Sequence, residues 1–117
     1  MKTTYERGVH AEKSALRLLE KKGFTQIAMR YKTPHGEIDL LMQDGATLVA
    51  VEVKYRKYEA DVFESISTKQ QQRIQNALLY YLSEHDMSES GANSSLLRFD
   101  VVLISADMKI THIENAW

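Results

Sequence analysis

The sequence predicts an α/β domain in which one mixed β-sheet is flanked by helices. Two segments carry apolar residues at helical spacing and five segments are strand-like, in the order α-β-β-β-α-β-β. An order of this kind is typical of a sheet covered by helices. The chain of 117 residues contains no recognisable interdomain linker, so it suits a single domain, 1–117, with one hydrophobic core.

The first helix is predicted from about Thr4 to Lys22, and Gly23 is a typical residue just beyond a helix C-terminus. The apolar stripe of this helix consists of Ala15, Leu16 and Leu19. Because successive helical residues are about 100° apart, Glu12 projects close to the stripe. We therefore expect one carboxylate of the first helix to lie on or beside its buried face.

Three strands are predicted next, at about 24–31, 37–42 and 48–55, with turns at 33–36 and 44–45. Side chains alternate between two faces along a strand. In the second strand the alternation groups Ile38, Leu40 and Met42 on one face and Glu37, Asp39 and Leu41 on the other. In the third strand it groups Val49, Val51, Val53 and Tyr55 on one face and Leu48, Ala50, Glu52 and Lys54 on the other. One face of each strand therefore carries acidic residues.

A second helix is predicted from Ser67 or Thr68, either of which can cap it, to about Leu82. Its apolar stripe consists of Ile74, Ala77, Leu78, Tyr81 and Leu82. We expect Tyr81, and Tyr55 on the third strand, to pack in the core instead of stacking on nucleic-acid bases. The remaining segments are a long polar loop at 83–95 and two strands at about 97–104 and 109–114.

The composition excludes several classes of protein. The chain has no cysteine, so it has no disulfide framework, no thiol catalysis and no cysteine-ligated zinc or iron–sulfur cluster. No apolar run approaches the roughly 20 residues of a transmembrane helix. The first residues lack the apolar core of a signal peptide. We therefore expect a cytoplasmic protein without a membrane partner.

The net charge of −1 is unevenly distributed along the chain. Residues 1–73 contain 13 basic and 10 acidic residues, whereas residues 74–117 contain 2 basic and 6 acidic residues. Phosphate contacts depend on the local potential, so a near-neutral total is compatible with a positive surface. The candidate phosphate-contacting residues are Arg30, Lys32, Arg56, Lys57, Lys69 and Arg73. The alternative interpretation is that these residues are ordinary solvated surface charges.

Glu52 and Lys54 share one face of the third strand, with Cα atoms about 6.5 Å apart. The register of the hairpin decides whether Asp39 joins them. If residues 44–47 form the loop, Asp39 lies opposite Glu52; a two-residue loop places Asp39 opposite Ala50, still on the same face. An odd loop length separates them. We predict a register that places Asp39, Glu52 and Lys54 together.

Two carboxylates opposed across a sheet repel each other unless a positive charge lies between them. A hard divalent cation such as Mg²⁺ meets this need through oxygen ligands, and water or substrate phosphate completes its shell. The Lys54 ammonium beside Asp39 and Glu52 can orient a water molecule or neutralise charge in a transition state. Glu12 is a candidate further ligand. The alternative is an ordinary half-exposed strand on which Glu52 and Lys54 are solvated or paired.

Three blocks of the sequence carry a resemblance to a known family. The blocks are Gly36-Glu37-Ile38-Asp39-Leu40-Leu41, Val51-Glu52-Val53-Lys54-Tyr55-Arg56 and Arg98-Phe99-Asp100-Val101-Val102. They resemble the YraN family of bacterial proteins, which is related to the restriction-endonuclease-like PD-(D/E)XK nucleases and to archaeal Holliday-junction resolvases. The resemblance extends over nearly the whole chain and implies a restriction-endonuclease-like αβββαβ core.

The resemblance also implies roles for individual residues. Asp39 and Glu52 match the two acidic residues of the nuclease motif, which are metal ligands. Lys54 matches the motif lysine, and Glu12 matches a helix-1 glutamate found in resolvase-like members. The backbone carbonyl of Val53 is implied as a further metal ligand.

The function expected from these observations is that of a DNA endonuclease that depends on Mg²⁺ or Mn²⁺ and selects branched or duplex DNA. Glu12, Asp39, Glu52 and Lys54 are its expected catalytic residues, and Lys69 matches a helix-2 lysine that contacts phosphate or assists the site. A homodimer is expected by analogy with the two-fold symmetry of a four-way junction, and no small-molecule cofactor is expected. The alternatives are a non-catalytic nucleic-acid-binding or protein-interaction module with the nuclease fold, and a structural domain without a nucleic-acid role.

Overall fold

Five strands form one mixed sheet, and a helix covers each of its faces. The structure is a computed structural model that describes residues 4–56, 66–85 and 96–117, with the side chains of Thr4 and Arg56 outside the description. Its elements are α1 (Thr4–Lys21), β1 (Thr25–Thr33), β2 (Gly36–Asp44), β3 (Thr47–Arg56), α2 (Thr68–Glu84), β4 (Leu96–Ser105) and β5 (Ile110–Ile113). The predicted fold class and element order are confirmed. Residues 86–95 of the predicted loop lie outside the described residues.

The strands lie in the sheet in their sequence order, β1-β2-β3-β4-β5. The first three are antiparallel hairpin neighbours, β3 and β4 are parallel, and β5 returns antiparallel to β4. Parallel neighbours need a crossover connection, and α2 provides it. Because α2 runs back from the carboxyl end of β3 to the amino end of β4, its first turn lies near the carboxyl end of β3.

The two helices bury opposite faces of the sheet. The cluster beneath α1 contains Ala11, Ala15, Leu19, Leu40, Met42, Val49, Val51 and Val102. The cluster beneath α2 contains Ile38, Leu41, Leu48, Ala50, Ile74, Ala77, Leu78 and Tyr81. The predicted two faces of β3 are confirmed, as is the burial of Tyr81. The prediction for Tyr55 was wrong, since it is 41% exposed beside Arg7 and His10, where α1 covers only part of its ring.

The hairpin between β2 and β3 has the register that brings the acidic residues together. Gln43 pairs with Leu48, and Asp44 pairs with Thr47 around a turn at 45–46. This is the register predicted for a loop formed by residues 44–47, and it is confirmed. The pairing ends at Leu40 and Val51, one residue before Asp39 and Glu52. The acidic pair therefore lies where the two strands cease to be joined by backbone hydrogen bonds.

The alternation predicted for the start of β2 was wrong at Ile38. This side chain packs with the cluster beneath α2, whereas Leu40 packs beneath α1. The same change occurs in β1, where Met29 pairs with Leu40 and Tyr31 pairs with Ile38. Between them Arg30 has φ of 50°, the left-handed region that interrupts regular strand geometry. The local twist of both strands therefore overrides the period of two.

Gly36 allows α2 to approach the start of β2. A Cβ atom at this position would lie 2.6 Å from the carbonyl oxygen of Arg73, closer than such atoms pack. We expect Gly36→Ala to displace α2 and to lower the free energy of unfolding by about 1–3 kcal/mol in urea titrations. In the control Gly8→Ala, the added Cβ makes an ordinary contact, so no loss is expected. Unchanged stability of Gly36→Ala would refute this close approach.

Candidate acidic site

Asp39 and Glu52 form the centre of the site, at the end of the β2–β3 ladder. The Asp39 carboxylate Oδ2 accepts a hydrogen bond from the Val53 N–H at 2.9 Å, so a side chain replaces the backbone ladder at this point. Glu52 is only 7% exposed. The side chains of Glu52 and Asp39 interact, and this interaction raises the pKa of Glu52 and lowers that of Asp39. The buried Glu52 and the half-buried Asp39 therefore form one coupled acidic pair.

Lys54 and Gln70 both contact one oxygen of Glu52, Oε1. The Lys54 Nζ lies 3.3 Å from Glu52 Oε1, and the Gln70 side-chain amide donates to the same oxygen at 3.1 Å. Gln70 lies in the first turn of α2, whose start is fixed by the Ser67 hydroxyl accepting a hydrogen bond from the Gln70 N–H. The capped end of α2 therefore positions the amide that orients Glu52.

Glu12 and Arg30 form a second pair within the site. Glu12 is buried on α1, as its helical phase predicts, and its Oε2 accepts a hydrogen bond from Arg30 Nε at 2.7 Å. The guanidinium of Arg30 also lies over the ring of Tyr5, 5.0 Å from the ring centroid. Arg30 has the left-handed backbone conformation described above, a strain that proteins often retain at functional sites. Glu12 is thus partly neutralised by a cation before any ligand binds.

These groups surround an open cavity of about 390 Å³, here called the acidic cavity. It is lined by Glu12, Arg30, Glu37, Asp39, Glu52, Gln70, Arg73 and Ile74. Acidic side chains thus come from α1, β2 and β3, and α2 contributes an amide and a guanidinium. With Arg30 from β1, five elements of the fold therefore converge on one site.

The carboxyl groups of the site have raised pKa values because they are buried together. Burial raises the pKa of Glu52 to about 8, the charge of Asp39 adds to this effect, and Lys54 opposes it. Burial likewise raises the pKa of Asp39, against the hydrogen bond from Val53. Burial raises the pKa of Glu12 too, although Arg30 opposes it. The site therefore holds protons at a pH where ordinary carboxyl groups are ionised.

The donor set suits a hard divalent cation with few protein ligands. Within residues 4–56, 66–85 and 96–117, no group of three His, Asp or Glu side chains is arranged to hold a metal ion. Asp39 and Glu52 supply a pair of carboxylates, whereas Glu12 is engaged with Arg30. Mg²⁺ is typically bound through one or two carboxylates, with water and substrate phosphate as its other ligands. The carboxylate pair therefore fits Mg²⁺ better than a cation that needs an all-protein shell.

The predicted phosphate-contacting residues divide into three groups. Arg73 is exposed and lines the acidic cavity, and Arg30 lines the cavity while paired with Glu12. Lys32 and Lys69 are exposed on β1 and on the first turn of α2. The remaining two, the Arg56 side chain and Lys57, lie outside the described residues. Among the predicted phosphate-contacting residues that the structure describes, Arg73 is therefore an exposed cation that lines the acidic cavity.

Sequence reasoning did not identify Gln70 as a site residue. Gln70 lies four residues before Ile74, the first member of the apolar stripe of α2. Residues four apart in a helix lie on the same face, so this polar residue faces the sheet. The sequence did contain a signal for Gln70, because this polar residue occupies a position that continues the apolar stripe of α2.

A second group of buried polar residues lies near the hairpin turn. Asp100 is fully buried, and Arg98 donates to both of its carboxylate oxygens at 2.8 and 2.9 Å. His112 Nε2 and the Asn115 N–H also contact Asp100, at 2.8 and 3.0 Å. The Lys22 ammonium contacts His112 Nδ1 at 2.9 Å, and because an ammonium only donates, Nε2 carries the proton directed at Asp100. Both oxygens of the Asp100 carboxylate thus accept hydrogen bonds within the protein, so we assign this cluster a structural role.

The fold and the site define a single α/β domain in which a pair of largely buried carboxyl groups lines an open cavity. The family model described as "Uncharacterised protein family UPF0102" matches residues 11–104, and the chain belongs to this family. A UPF0102 protein of Coxiella burnetii (strain RSA 331 / Henzerling II) is 38% identical over 116 residues, covering 97% of this chain and 92% of the relative. A UPF0102 protein of Desulfosudis oleivorans is 39% identical over 113 residues, covering 94% and 88%. The family suggested by the three sequence blocks is thereby confirmed.

The two helices also bear on the question of membrane association. Neither α1 nor α2 is long and apolar enough to span a bilayer, within the part of the chain that the structure describes.

Proposed function

We propose that this protein is a DNA endonuclease that depends on Mg²⁺ or Mn²⁺ and acts on branched DNA. The observation that carries the proposal is the pair of half-buried Asp39 and buried Glu52, which lines an open cavity while Lys54 contacts Glu52. Burying two carboxyl groups in contact is costly unless a cation neutralises them. The resemblance of the surrounding sequence blocks to PD-(D/E)XK nucleases supports the same chemistry.

Each residue of the site has a role that follows from its contacts. Asp39 and Glu52 would hold the metal ion through carboxylate oxygens, together with the Val53 carbonyl implied by the resemblance. The bound metal ion supplies positive charge that stabilises a phosphodiester transition state and activates water. Lys54 favours the ionised form of Glu52 and places an ammonium group beside the reacting phosphate. Gln70 fixes the orientation of the Glu52 carboxylate.

Glu12 and Arg30 act on the opposite side of the cavity. Their ion pair keeps a carboxylate close to the Asp39–Glu52 pair without adding a full uncompensated charge. Glu12 would accept a hydrogen bond from a water molecule of the metal shell, which makes it a positioning residue. Arg73, exposed at the cavity, would bind the phosphate of the DNA strand. Since a four-way junction is two-fold symmetric, a homodimer would present two such sites.

The proposal predicts that Lys54→Ala abolishes most cleavage without abolishing DNA binding. The ammonium acts on the reacting phosphate, so its loss should lower the cleavage rate by about 10²-fold or more. Cleavage is measured on linear duplex, flap and four-way-junction DNA with Mg²⁺ or Mn²⁺, and binding is measured by fluorescence anisotropy. Lys13→Ala is the matched control, because Lys13 is an exposed lysine on α1, whereas Lys54 is largely buried against Glu52.

The outcomes separate the functional alternatives. Equal cleavage by the wild type, Glu52→Ala and Lys54→Ala would indicate a contaminating nuclease. DNA binding without cleavage in any metal ion would favour a non-catalytic nucleic-acid-binding module. Absence of both binding and cleavage would overturn the proposed function.

A further inference from the structure

A second cavity lies along the outer face of α2, and its lining residues are close in sequence to residues of the acidic cavity. It has a volume of about 350 Å³, and we call it the α2 groove; it is lined by His35, Asn76, Leu79, Tyr80 and Ser83. His35 lies two residues before Glu37, and Asn76 lies three residues after Arg73, both of which line the acidic cavity. Along the helix axis Asn76 lies about 4.5 Å and Tyr80 about 10.5 Å from Arg73, which is roughly one to three nucleotide steps along a B-form strand.

The α2 groove presents aromatic and apolar surface. The rings of His35 and Tyr80 are in edge-to-face contact, with centroids 5.9 Å apart. Glu84 lies close to the Tyr80 hydroxyl and raises its pKa. Leu79, another residue of the groove, is 55% exposed. The groove therefore offers a tyrosine ring in contact with His35 and an apolar neighbour, a kind of surface on which a nucleic-acid base can stack.

Charge and polarity are ordered along one face of α2. Lys69, Arg73, Asn76 and Tyr80 are spaced four, three and four residues apart, which places them on the same face of the helix. The two cations stand at the end near the acidic cavity, and the amide and the aromatic ring stand at the other end. This order suits an unpaired nucleotide strand, since cations can contact its phosphates while an aromatic ring and an amide contact a base.

We propose that the α2 groove binds an unpaired base of the DNA substrate, one to three nucleotides from the phosphodiester held at the acidic cavity. The inference rests on the proposed function and extends it to the substrate. Tyr80 stacks on the base, and the Asn76 amide hydrogen-bonds to its edge. A base inside a continuous duplex is already stacked and paired, so it cannot enter the groove. The groove therefore selects DNA with unpaired bases beside the cleaved bond.

The test compares a flap DNA with a continuous duplex of the same sequence. The flap carries 2-aminopurine at the unpaired position next to the branch, so its fluorescence reports stacking. We expect Tyr80→Ala to weaken flap binding roughly 5- to 150-fold, the effect of losing one stacked base, and to leave duplex binding within about twofold. Tyr80→Phe keeps the ring and should keep both the affinity and the quenching of 2-aminopurine. His35→Ala is a second variant in the turn, and we expect it to weaken flap binding in the same direction.

The results distinguish this inference from the proposed function. If Lys54→Ala abolishes cleavage while Tyr80→Ala and His35→Ala bind flap and duplex as the wild type does, the groove has no role and the nuclease proposal stands. The same conclusion follows if Tyr80→Ala weakens the binding of flap and duplex DNA equally. If the wild type neither binds nor cleaves either DNA, the proposed function itself fails. Thermal unfolding of each variant establishes that it is folded.

Discussion

The variant Glu52→Gln is expected to be more stable than the wild type above pH 8. Burial raises the pKa of Glu52 from its ordinary value of 4.5 to about 8. Between these two values the folded protein holds a proton that the unfolded chain has released, so its stability falls as the pH rises. Glutamine has no proton to lose and avoids this fall. The variant should therefore gain up to about 5 kcal/mol in the free energy of unfolding above pH 8.

The same variant is expected to lose its response to divalent cations. A cation that binds Asp39 and Glu52 must displace the proton of Glu52, so Mn²⁺ or Mg²⁺ should stabilise the wild type more as the pH rises towards 8. Binding at a concentration 100 times the Kd would add about 2.7 kcal/mol. Glu52→Gln removes a ligand, so this increment should vanish.

Thermal unfolding from pH 5 to pH 9, with and without Mn²⁺, measures both effects. Glu37→Gln is the control, because Glu37 is exposed at the cavity and its loss should change neither the pH dependence nor the cation response greatly. A Glu52→Gln curve parallel to that of the wild type, or equal stabilisation of both proteins by Mn²⁺, would show that Glu52 is neither protonated nor a metal ligand.

Asp100→Ala is expected to lower the free energy of unfolding, by an amount comparable to the gain expected for Glu52→Gln. Burial alone would raise the pKa of Asp100, but hydrogen bonds from His112, Arg98 and the Asn115 N–H outweigh it and lower the pKa. The carboxylate is therefore ionised and fully paired in the core. Its removal leaves the Arg98 guanidinium without its main partner, at a cost of about 3–5 kcal/mol for a buried pair. Urea unfolding at neutral pH measures the loss.

Asp44→Ala is the matched control for this variant. Its carboxylate contacts the same guanidinium, with Asp44 Oδ2 3.3 Å from Arg98 Nη1, but its side chain is 39% exposed. A solvent-exposed ion pair is worth about 1 kcal/mol or less. If Asp100→Ala costs no more than Asp44→Ala, the buried network does not stabilise the fold. The contrast with Glu52 would separate a carboxylate that supports the fold from one that the fold holds at a cost.

Local sequence patterns predicted the elements because hydrophobic periodicity records which face of each element is buried. The apolar stripe of α2 and the two faces of β3 are confirmed in this way. The same reasoning placed Glu12 on the buried side of α1 and placed Glu52 and Lys54 on one face of β3. It was wrong at Ile38, because the left-handed conformation of Arg30 and the end of the β2–β3 pairing interrupt the alternation.

The contacts of the site were less accessible to sequence reasoning. The hairpin register could be reduced to two same-face alternatives, and the pairing of Gln43 with Leu48 decided between them. The contact of Gln70 with Glu52 depends on where the capped start of α2 lies above the sheet. The partner of Arg30 is Glu12, 18 residues away in the sequence, and no local pattern specifies that distance.

The sequence by itself determined the order of helices and strands and the family of the protein. It also determined that Glu52 and Lys54 lie on one face of β3, the face that Asp39 joins. These follow from periods of 2 and 3.6 residues and from short blocks of adjacent residues. Only the tertiary structure decided that Glu52 holds a proton up to a pH of about 8, and that Asp100 does not. Burial and the distances to partners from other elements set these pKa values, and neither quantity exists until the chain has folded.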